Sequence, residues 1–242
     1  MECLIMQQKN INKADDFVMK EKNAVAIISG GMDSITLLHY LVKKEKLNVS
    51  PITFLYGQKH SKEVSCAKEQ ALLLGCTNHL VLDLTSFKPL FAKSALISSD
   101  LPIPDIQEVM GDPQPATYVP NRNMIFLALA MAYAETCEAN NVYYGAQKHD
   151  IYGYWDTTPQ FLASLNQIYQ LNRKSVISIQ APFVNYSKTD VLKLGLELGV
   201  DYGQTWSCYR GDDFSCGTCA TCAERLKAFA NLAITDPLKY AR

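Results

Sequence analysis

Short runs of consecutive apolar residues alternate along the chain with longer segments in which apolar residues recur at helical spacing. The apolar runs predict strands buried on both faces, at residues 24–29, 49–57, 79–84 and 142–144. The periodic segments predict helices, at residues 35–44, 61–74, 122–138, 159–172 and 187–198. Strands separated by helices indicate βαβ units. We therefore expect a doubly wound α/β fold with a mainly parallel sheet and a ligand site beyond the carboxyl ends of its strands.

The same pattern divides the chain into three predicted regions. Residues 1–22 are polar and aperiodic, and we expect a flexible leader there. Residues 23–200 form the predicted α/β domain, in which the prolines of residues 85–120 predict an irregular, lid-like loop. Residues 201–242 contain four of the eight cysteines and form a predicted C-terminal subdomain.

Composition and charge narrow the class of protein. Hydrophobic residues make up 48% of the chain and charged residues 19%, which excludes disordered, collagen-like and coiled-coil classes. Because 23 Lys and Arg stand against 24 Asp and Glu, the net charge of −1 argues against nucleic acid or an anionic membrane as a general partner. No apolar run approaches the ~18 to 20 residues of a membrane helix, and the first residues lack a signal-peptide pattern. We therefore expect a cytoplasmic protein with local anion sites.

A glycine-rich turn lies between the first predicted strand and helix, with the sequence Ser29-Gly30-Gly31-Met32-Asp33-Ser34. Its glycines let the backbone approach a ligand, and the helix that begins near Asp33 directs free N–H groups toward an anion. The lysine of a Walker A loop and the spacing of a dinucleotide fingerprint are both absent from it. Its hydroxyls and its carboxylate suit a pyrophosphate with Mg²⁺. The alternative is a simple turn in which Asp33 or Ser34 caps the helix.

Two cations lie at the starts of predicted helices, where a positive charge is unfavourable unless it meets an anion. Arg122 begins one helix and Lys188 lies in the first turn of another, so both are predicted to bind phosphate, with solvated charges as the alternative. Gln58 and His60 follow the carboxyl end of a strand, which favours contact with a nucleotide over a surface role. His39 lies within a helix and is predicted to be structural.

Four cysteines with the spacing of metal ligands lie near the end of the chain, in the pattern Cys208-x₇-Cys216-x₂-Cys219-x₂-Cys222. Two overlapping CxxC steps bring three thiolates to one turn, and Cys208 completes a tetrahedron. A shell of four sulfurs favours one structural Zn²⁺ per chain, because a catalytic zinc keeps an open position. An iron–sulfur cluster is the less favoured alternative.

Aromatic and acidic residues crowd into residues 145–161, after a predicted strand. Such a segment would form a flat slot in which a heterocycle stacks on Tyr or Trp and donates hydrogen bonds to Asp, as a guanine-like edge does. The alternative is a core or interface patch.

Several motifs together resemble one family. The SGGMDS turn resembles the PP-loop ATP pyrophosphatases, whose loop holds the pyrophosphate end of ATP. Further motifs resemble the 7-cyano-7-deazaguanine synthase (QueC) family over residues 24–227, namely YGQKHSKE, YVPNRN, SKTD, LGLELGVDY and WSCYRG.

The resemblance implies an adenine nucleotide α-hydrolase-like fold, a C-terminal zinc subdomain and a homodimer. It also implies ATP-dependent conversion of 7-carboxy-7-deazaguanine and ammonia to 7-cyano-7-deazaguanine through an adenylated intermediate. ATP would then be held with Mg²⁺ by Ser29, Gly30, Gly31, Met32, Asp33, Ser34, Gln58, His60, Arg122 and Lys188. Of these, Asp33, Ser34, Arg122 and Lys188 would act in catalysis. The base would be bound by Gly145, Asp150, Tyr154, Trp155 and Asp156.

The chain departs from the QueC pattern in the predicted substrate segment. QueC proteins carry a segment resembling DYSGYPDCRPEF, where this chain has DIYGYWDTTPQF. The changes at Trp155, Thr158 and Gln160 are expected to fall on the recognition face. The changes at Thr158 and Gln160, together with the leader at residues 1–22, keep open a QueC-like antiphage (CBASS-type) function, in which the activated deazaguanine is joined to a protein amine.

Two other function classes are weaker. A nucleic-acid-binding zinc module on an inactive nucleotide fold is disfavoured by the net charge of −1. tRNA thiolation would require catalytic cysteines near the nucleotide loop, whereas these cysteines have zinc spacing.

Overall fold

The computed structural model describes residues 22–59, 62–112, 114–148, 154–174, 176–210 and 213–241. The predicted leader, apart from Lys22, and the predicted site residues His60 and Asp150 lie outside the described residues. None of the helices in the described ranges is both long enough and apolar enough to cross a membrane.

Five strands in the described ranges form one parallel sheet in the order β3-β2-β1-β4-β5. They are β1 (Asn23–Ile27), β2 (Asn48–Leu55), β3 (Leu80–Asp83), β4 (Asn141–Tyr143) and β5 (Ser178–Gln180). β1 lies at the centre, where Ala24 pairs with Val49 of β2 and with Asn141 of β4. The first four strands were expected from the apolar runs. The apolar runs do not predict β5, because its sequence Ser178-Ile179-Gln180 has one apolar residue between two polar ones.

Helices cover both faces of the sheet. One face carries α1 (Met32–His39), α2 (Lys62–Leu73) and α6 (Lys188–Glu197), and the other carries α4 (Arg122–Thr136) and α5 (Pro159–Tyr169). Consecutive residues of β1 face the two opposite layers of helices. Ala26 packs in a core with Leu37 and Ala67, whereas Val25 packs with Leu127. The predicted doubly wound α/β fold is therefore confirmed.

The connections of the sheet change direction between β1 and β4. From β1 the chain runs outward through β2 to β3 and then crosses to β4, on the other side of β1. In doubly wound folds, ligands bind beyond the carboxyl ends of the two strands at such a switch point. The turn after β1 and the segment after β4 therefore border the expected ligand site.

α6 begins and ends where its sequence predicts. Ser187 Oγ accepts the N–H of Asp190 (3.2 Å), and the Asp190 carboxylate accepts the N–H of Ser187 (2.9 Å), so the two form a capping box. Gly199 follows the helix with φ +70°, a conformation that glycine adopts without strain. This cap fixes the position of Lys188, the first residue of the helix.

The predicted irregular loop at residues 85–120 contains a 3₁₀ helix (Thr85–Phe91) and the short helix α3 (Ile106–Val109). Its prolines exclude long regular elements, but Phe91, Ile97 and Val119 are buried in the core that also covers the sheet. The segment is thus a packed part of the domain, and a lid-like movement of it stays a prediction.

The predicted C-terminal subdomain packs directly on the α/β domain. Its helix α7 (Ala220–Asn231), which the periodicity does not predict, contacts α6. Trp206 and Cys222 lie in the core that covers the sheet. The buried Arg225 donates hydrogen bonds to Asp236 (2.6 Å) and to Thr205 (2.7 Å).

Candidate active site

The turn at Ser29–Ser34, called the phosphate loop below, has the backbone that its glycines predict. Gly30 has φ +97°, and a Cβ at this position would lie 1.8 Å from the carbonyl oxygen of Glu63. Only glycine fits between the loop and α2. Ser34 Oγ accepts the N–H groups of Ser29 (3.1 Å) and of Gly30 (3.2 Å). The loop is therefore held in shape by its own residues.

α1 starts at the end of the phosphate loop. The helix begins at Met32, with Gly31 as its N-cap and with no side chain that caps it. The alternative that Asp33 or Ser34 is the N-cap is wrong, because both lie inside the first turn. The first N–H groups of a helix lack intrahelical partners, so the loop has the geometry of an anion site.

Asp33 and Lys188 form an ion pair across the switch point. Lys188 Nζ lies 2.5 Å from Asp33 Oδ2, and both side chains are largely buried. The other carboxylate oxygen, Asp33 Oδ1, is buried and has no hydrogen-bond partner. A carboxylate with one uncommitted oxygen in an anion site fits the role of a Mg²⁺ ligand.

Arg122 lies at the start of α4 and reaches toward the end of β2. Its guanidinium donates to Tyr56 Oη (3.3 Å) and lies 5.9 Å from the centre of that ring. Gln58 Oε1 accepts the N–H of Tyr56 (2.9 Å), and Gln58 Nε2 donates to Glu63 Oε1 (3.1 Å). Burial raises the pKa of Glu63 to about 7, even though Gln58 and Arg122 oppose the shift.

One cavity of about 290 Å³ joins these groups. The predicted site residues that line it are Ser29, Gly31, Met32, Asp33, Ser34, Gln58, Arg122, Gly145, Tyr154, Asp156 and Lys188. Gly30 shapes the loop backbone without lining the cavity, and Trp155 also lies outside the lining. Trp155 is 46% exposed, and its indole N–H donates to Tyr118 Oη (3.2 Å).

The recognition wall comprises five cavity-lining residues, Tyr118, Tyr144, Gln147, Tyr154 and Asp156. The rings of Tyr118 and Tyr154 are stacked, with centroids 6.2 Å apart. Tyr144, Gln147 and Asp156 are 6%, 3% and 3% exposed. Nevertheless, neither the Tyr144 hydroxyl nor Gln147 Oε1 has a hydrogen-bond partner among the described residues. Buried polar groups are normally paired, so this wall is suited to a ligand that offers N–H or O–H groups.

Two buried acidic groups of the recognition wall, the Asp156 carboxyl and the Tyr144 hydroxyl, both have raised pKa values. Burial raises the pKa of Asp156, and Arg122 opposes that shift. Burial and the nearby Asp156 carboxylate raise the pKa of Tyr144, which keeps its hydroxyl protonated. The wall therefore combines acceptors with a hydroxyl that can donate.

Several polar residues that line the cavity are not among the predicted site residues, including Glu63, Tyr144 and Gln147. A signal for two of them was present, because Tyr144 and Gln147 directly follow the carboxyl end of β4 at the switch point. Glu63 lies near the start of a helix, where an acidic residue is common for helix stability alone, so its sequence position carries no such signal.

The differences from the QueC segment mostly avoid the cavity. Trp155, Thr158 and Gln160 are absent from its lining, whereas Thr157 belongs to it. Thr158 is the N-cap of α5, and its Oγ1 accepts the N–H of Phe161 (3.1 Å). That Trp155, Thr158 and Gln160 fall on the recognition face stays a prediction, since they cap or flank α5 next to Thr157 of the cavity lining.

The four cysteines form a compact cluster. The Sγ atoms of Cys208, Cys216, Cys219 and Cys222 all lie within 4.8 Å of one another. The pair formed by Cys216 and Cys222 is 3.9 Å apart, close to the ~3.8 Å expected between thiolates on a tetrahedral zinc. The N–H groups of Cys216 and Cys219 point to cluster sulfurs at 3.3 Å. The donor set and its geometry fit one four-coordinate metal ion.

The cysteine cluster is far from the phosphate loop along the chain, but the segment that leads into the cluster contacts the loop. Trp206, two residues before Cys208, donates its N–H to the carbonyl of Gly30 (3.0 Å). Ser207 Oγ lies 3.5 Å from the N–H of Met32, and the carbonyl of Ser207 accepts a hydrogen bond from Thr221 (2.7 Å). The cluster therefore supports the loop from outside.

Comparison with known proteins identifies the family. Residues 23–233 match the family model described as queuosine biosynthesis protein QueC. The chain is 43% identical over 217 residues to the 7-cyano-7-deazaguanine synthase of Caldicellulosiruptor saccharolyticus, covering 90% of this chain and 95% of that protein. It is also 43% identical over 222 residues to the enzyme of that name from Marinomonas sp., covering 92% and 99%. Among solved structures, NMN synthetase from Francisella tularensis aligns at a TM-score of 0.47 and 14% identity, covering 93% of this chain and 90% of that one. The chain therefore belongs to the QueC family.

Proposed function

We propose that this protein is an ATP-dependent 7-cyano-7-deazaguanine synthase, a ligase that forms a carbon–nitrogen bond. The observation that carries the proposal is the single cavity in which a phosphate loop with two cations meets a wall of unsatisfied hydrogen-bonding groups. The names of the relatives supply the product, 7-cyano-7-deazaguanine. The QueC resemblance supplies 7-carboxy-7-deazaguanine as the substrate.

The phosphate loop and its cations would carry the activation half of the reaction. The loop N–H groups and Ser34 hold the pyrophosphate end of ATP, while Arg122 and Lys188 neutralise the charge that develops as pyrophosphate leaves. Mg²⁺, when bound through the uncommitted oxygen of Asp33, would supply further charge neutralisation on the phosphate oxygens. The substrate carboxylate attacks the α-phosphorus, so the protein supplies position and charge and no nucleophilic side chain.

The recognition wall would hold the deazaguanine base. A guanine-like ring presents N–H donors, and Asp156 and Gln147 Oε1 are buried acceptors that suit them. The Tyr144 hydroxyl can donate to the ring carbonyl, and the stacked pair of Tyr118 and Tyr154 offers an aromatic surface. Asp150, another proposed substrate ligand, lies outside the described residues.

The amine half of the proposal completes the reaction. Ammonia attacks the adenylated carboxyl group, a C–N bond forms and AMP leaves, which gives the amide. A second ATP activates the amide oxygen, and loss of AMP and two protons then gives the nitrile. The changes at Trp155, Thr158 and Gln160 lie outside the cavity lining, which supports the same small substrate.

We also propose that the cysteine cluster holds one structural zinc, since its four sulfurs form a closed shell. The homodimer that the QueC resemblance implies is part of the same proposal. Sedimentation of the purified protein at micromolar concentration would test it, with a monomer at all concentrations as the contrary result.

Product analysis tests the proposed function. Purified protein is incubated with ATP, Mg²⁺ and 7-carboxy-7-deazaguanine, with and without ammonia, and the products are followed by mass spectrometry. We expect AMP, pyrophosphate, the amide and then the nitrile when ammonia is present. A deazaguanine adduct on protein, with no free nitrile, would instead favour a protein amine as acceptor. No pyrophosphate above the level without substrate would reject adenylation altogether.

A further inference from the structure

Glu63 is a carboxylate in the candidate active site that has no part in binding as proposed above. It is the second residue of α2, it lines the cavity, and its carbonyl oxygen packs directly against Gly30 of the phosphate loop. None of the ion pairs formed among the described residues includes it. A carboxylate in this place repels phosphate unless it takes up a proton.

Gln58 orients the Glu63 carboxylate. The amide oxygen of Gln58 is occupied by the N–H of Tyr56 (2.9 Å), so its NH₂ group must face Glu63, and it donates to Oε1 at 3.1 Å. An amide held at one end by the backbone fixes the carboxylate at the other. Such fixed orientation is what a group needs in order to exchange protons with a bound reactant.

The surroundings of Glu63 favour titration of its carboxyl group near neutral pH. The titratable or charged groups that face it are Arg122 from α4, Tyr56 from the end of β2 and Cys66, one turn along α2. Arg122 lowers the pKa of Glu63, but burial outweighs it and raises that pKa to about 7. A general base works best when its pKa lies near the working pH.

We infer that Glu63 is the general base that takes the proton from the attacking amine. This inference rests on the proposed function. As the ammonia nitrogen bonds to the adenylated carboxyl carbon, the nitrogen becomes positively charged. One of its protons moves to the Glu63 carboxylate, the C–O bond to AMP breaks, and the neutral amide remains. In the nitrile step, the same carboxylate, after losing its proton to water, accepts a proton from the activated amide nitrogen.

The other carboxylates that line the cavity among the described residues are committed elsewhere. Asp33 is paired with Lys188 at 2.5 Å, beside the phosphate loop. Asp156 lies in the recognition wall, close to Tyr144, where it is suited to the base. Of the described carboxylates in the cavity lining, Glu63 is therefore the one left for the amine.

Substitution of Glu63, with the two half-reactions measured separately, tests this role. Pyrophosphate release and amide formation are followed in single turnovers of the full-length protein with ATP, Mg²⁺ and 7-carboxy-7-deazaguanine. Free ammonia is kept constant at each pH, because ammonium itself titrates. We expect Glu63→Gln to release pyrophosphate within a few-fold of the wild-type rate, but to form amide ~10²-fold or more slowly. Glu63→Asp should recover part of the amide rate.

The pH profile and a control separate a base from a structural residue. The wild-type amide rate should rise with pH through about 7, as the carboxylate loses its proton, and Glu63→Gln should lose that rise. Glu69→Gln, an exposed change on the same helix, should match the wild type. Equal losses of pyrophosphate release and amide formation in Glu63→Gln, or an unchanged amide rate and pH profile, would overturn the inference. Failure of the wild-type protein to release pyrophosphate would instead reject the proposed function.

Discussion

The phosphate loop and the recognition wall border the same cavity, but they differ in how their polar groups are satisfied. In the loop, Ser34 Oγ accepts two backbone N–H groups, and the backbone of Trp206 holds the carbonyl of Gly30. In the wall, the Tyr144 hydroxyl and Gln147 Oε1 are buried without a hydrogen-bond partner. The shape of the loop backbone is fixed by its own hydrogen bonds, and Asp33 Oδ1 is left for a metal ion, whereas the wall leaves buried side-chain groups to be paired by the base.

This difference indicates which property each region controls. A preorganised loop lowers the barrier of the chemical step, because its dipoles need no rearrangement as charge develops. A wall of unsatisfied groups contributes affinity and selectivity, because a ligand that fails to pair them leaves their desolvation uncompensated. Changes in the loop should therefore reduce the rate of adenylation, and changes in the wall should reduce the affinity for the base.

The largest expected effect comes from breaking the outside support of the loop. Cys219→Ser should remove zinc and lower the free energy of unfolding by several kcal/mol, because metal binding is coupled to folding of the cluster. The hydrogen bond from Trp206 to Gly30 should weaken with it, so adenylation should fall more than base binding. Metal analysis, thermal unfolding and pyrophosphate release would check this, with Cys137→Ser, outside the cluster, as control. The prediction would be contradicted if the wild-type protein contained no zinc, or if it contained iron with labile sulfide instead.

The next largest effect is expected within the loop. Asp33→Asn and Ser34→Ala should each lower substrate-dependent pyrophosphate release by ~10²-fold or more, because the first removes the proposed Mg²⁺ ligand and the second removes the acceptor that holds two loop N–H groups in place. Base binding by calorimetry and the unfolding temperature should stay close to those of the wild type. Asp100→Asn, an exposed change, serves as control. Near-normal turnover of Asp33→Asn would reduce the loop to a simple strand-to-helix turn.

The loop side of the cavity also predicts a pH dependence of stability. Burial raises the pKa of Glu63 from 4.5 to about 7, so between these values the folded state binds more protons than the unfolded state. Its contribution to stability is therefore present below pH 4.5 and is lost as the pH rises through about 7. The pKa of Asp156 is also raised, so its contribution to stability should likewise be lost as the pH rises. Glu63→Gln should be ~1 to 3 kcal/mol more stable than the wild type at pH 8 in denaturant titrations, with little gain at pH 5. An equal gain at both pH values would contradict this.

The smallest effects are expected in the wall, and on affinity. Asp156→Ala should weaken binding of 7-carboxy-7-deazaguanine roughly tenfold or more, since a lost buried partner costs ~1 to 3 kcal/mol. Gln147→Leu should weaken it less, because one neutral acceptor is removed. Calorimetry with a non-hydrolysable ATP analogue would measure both, and Gln167→Ala, an exposed change on α5, should bind like the wild type. No binding by the wild-type protein would mean that the pocket does not accept this base.

Much of the fold could be predicted because its signals are local. The four longer apolar runs, the capping box of Ser187 and the helix stop at Gly199 depend on neighbours within a few residues. β5 and α7 were not predicted. β5 has one apolar residue between two polar ones, and the start of α7 contains Cys222, where the metal-ligand spacing was the stronger pattern. The burial of residues 85–120 could not be predicted either, because the prolines interrupt any regular spacing of the apolar residues that pack against the core.

By itself, the sequence determined the phosphate loop and the cysteine cluster, because each is built from residues close together in the chain whose chemistry and spacing permit few alternatives. Only the tertiary structure decided that Lys188 meets Asp33 across 155 positions and that Trp206 supports Gly30. The same packing left the hydroxyl of Tyr144 and the amide oxygen of Gln147 buried without partners, and gave Glu63 its raised pKa. Burial and long-range hydrogen bonds arise from the packing of distant segments, and a linear pattern of residue types contains no direct record of them.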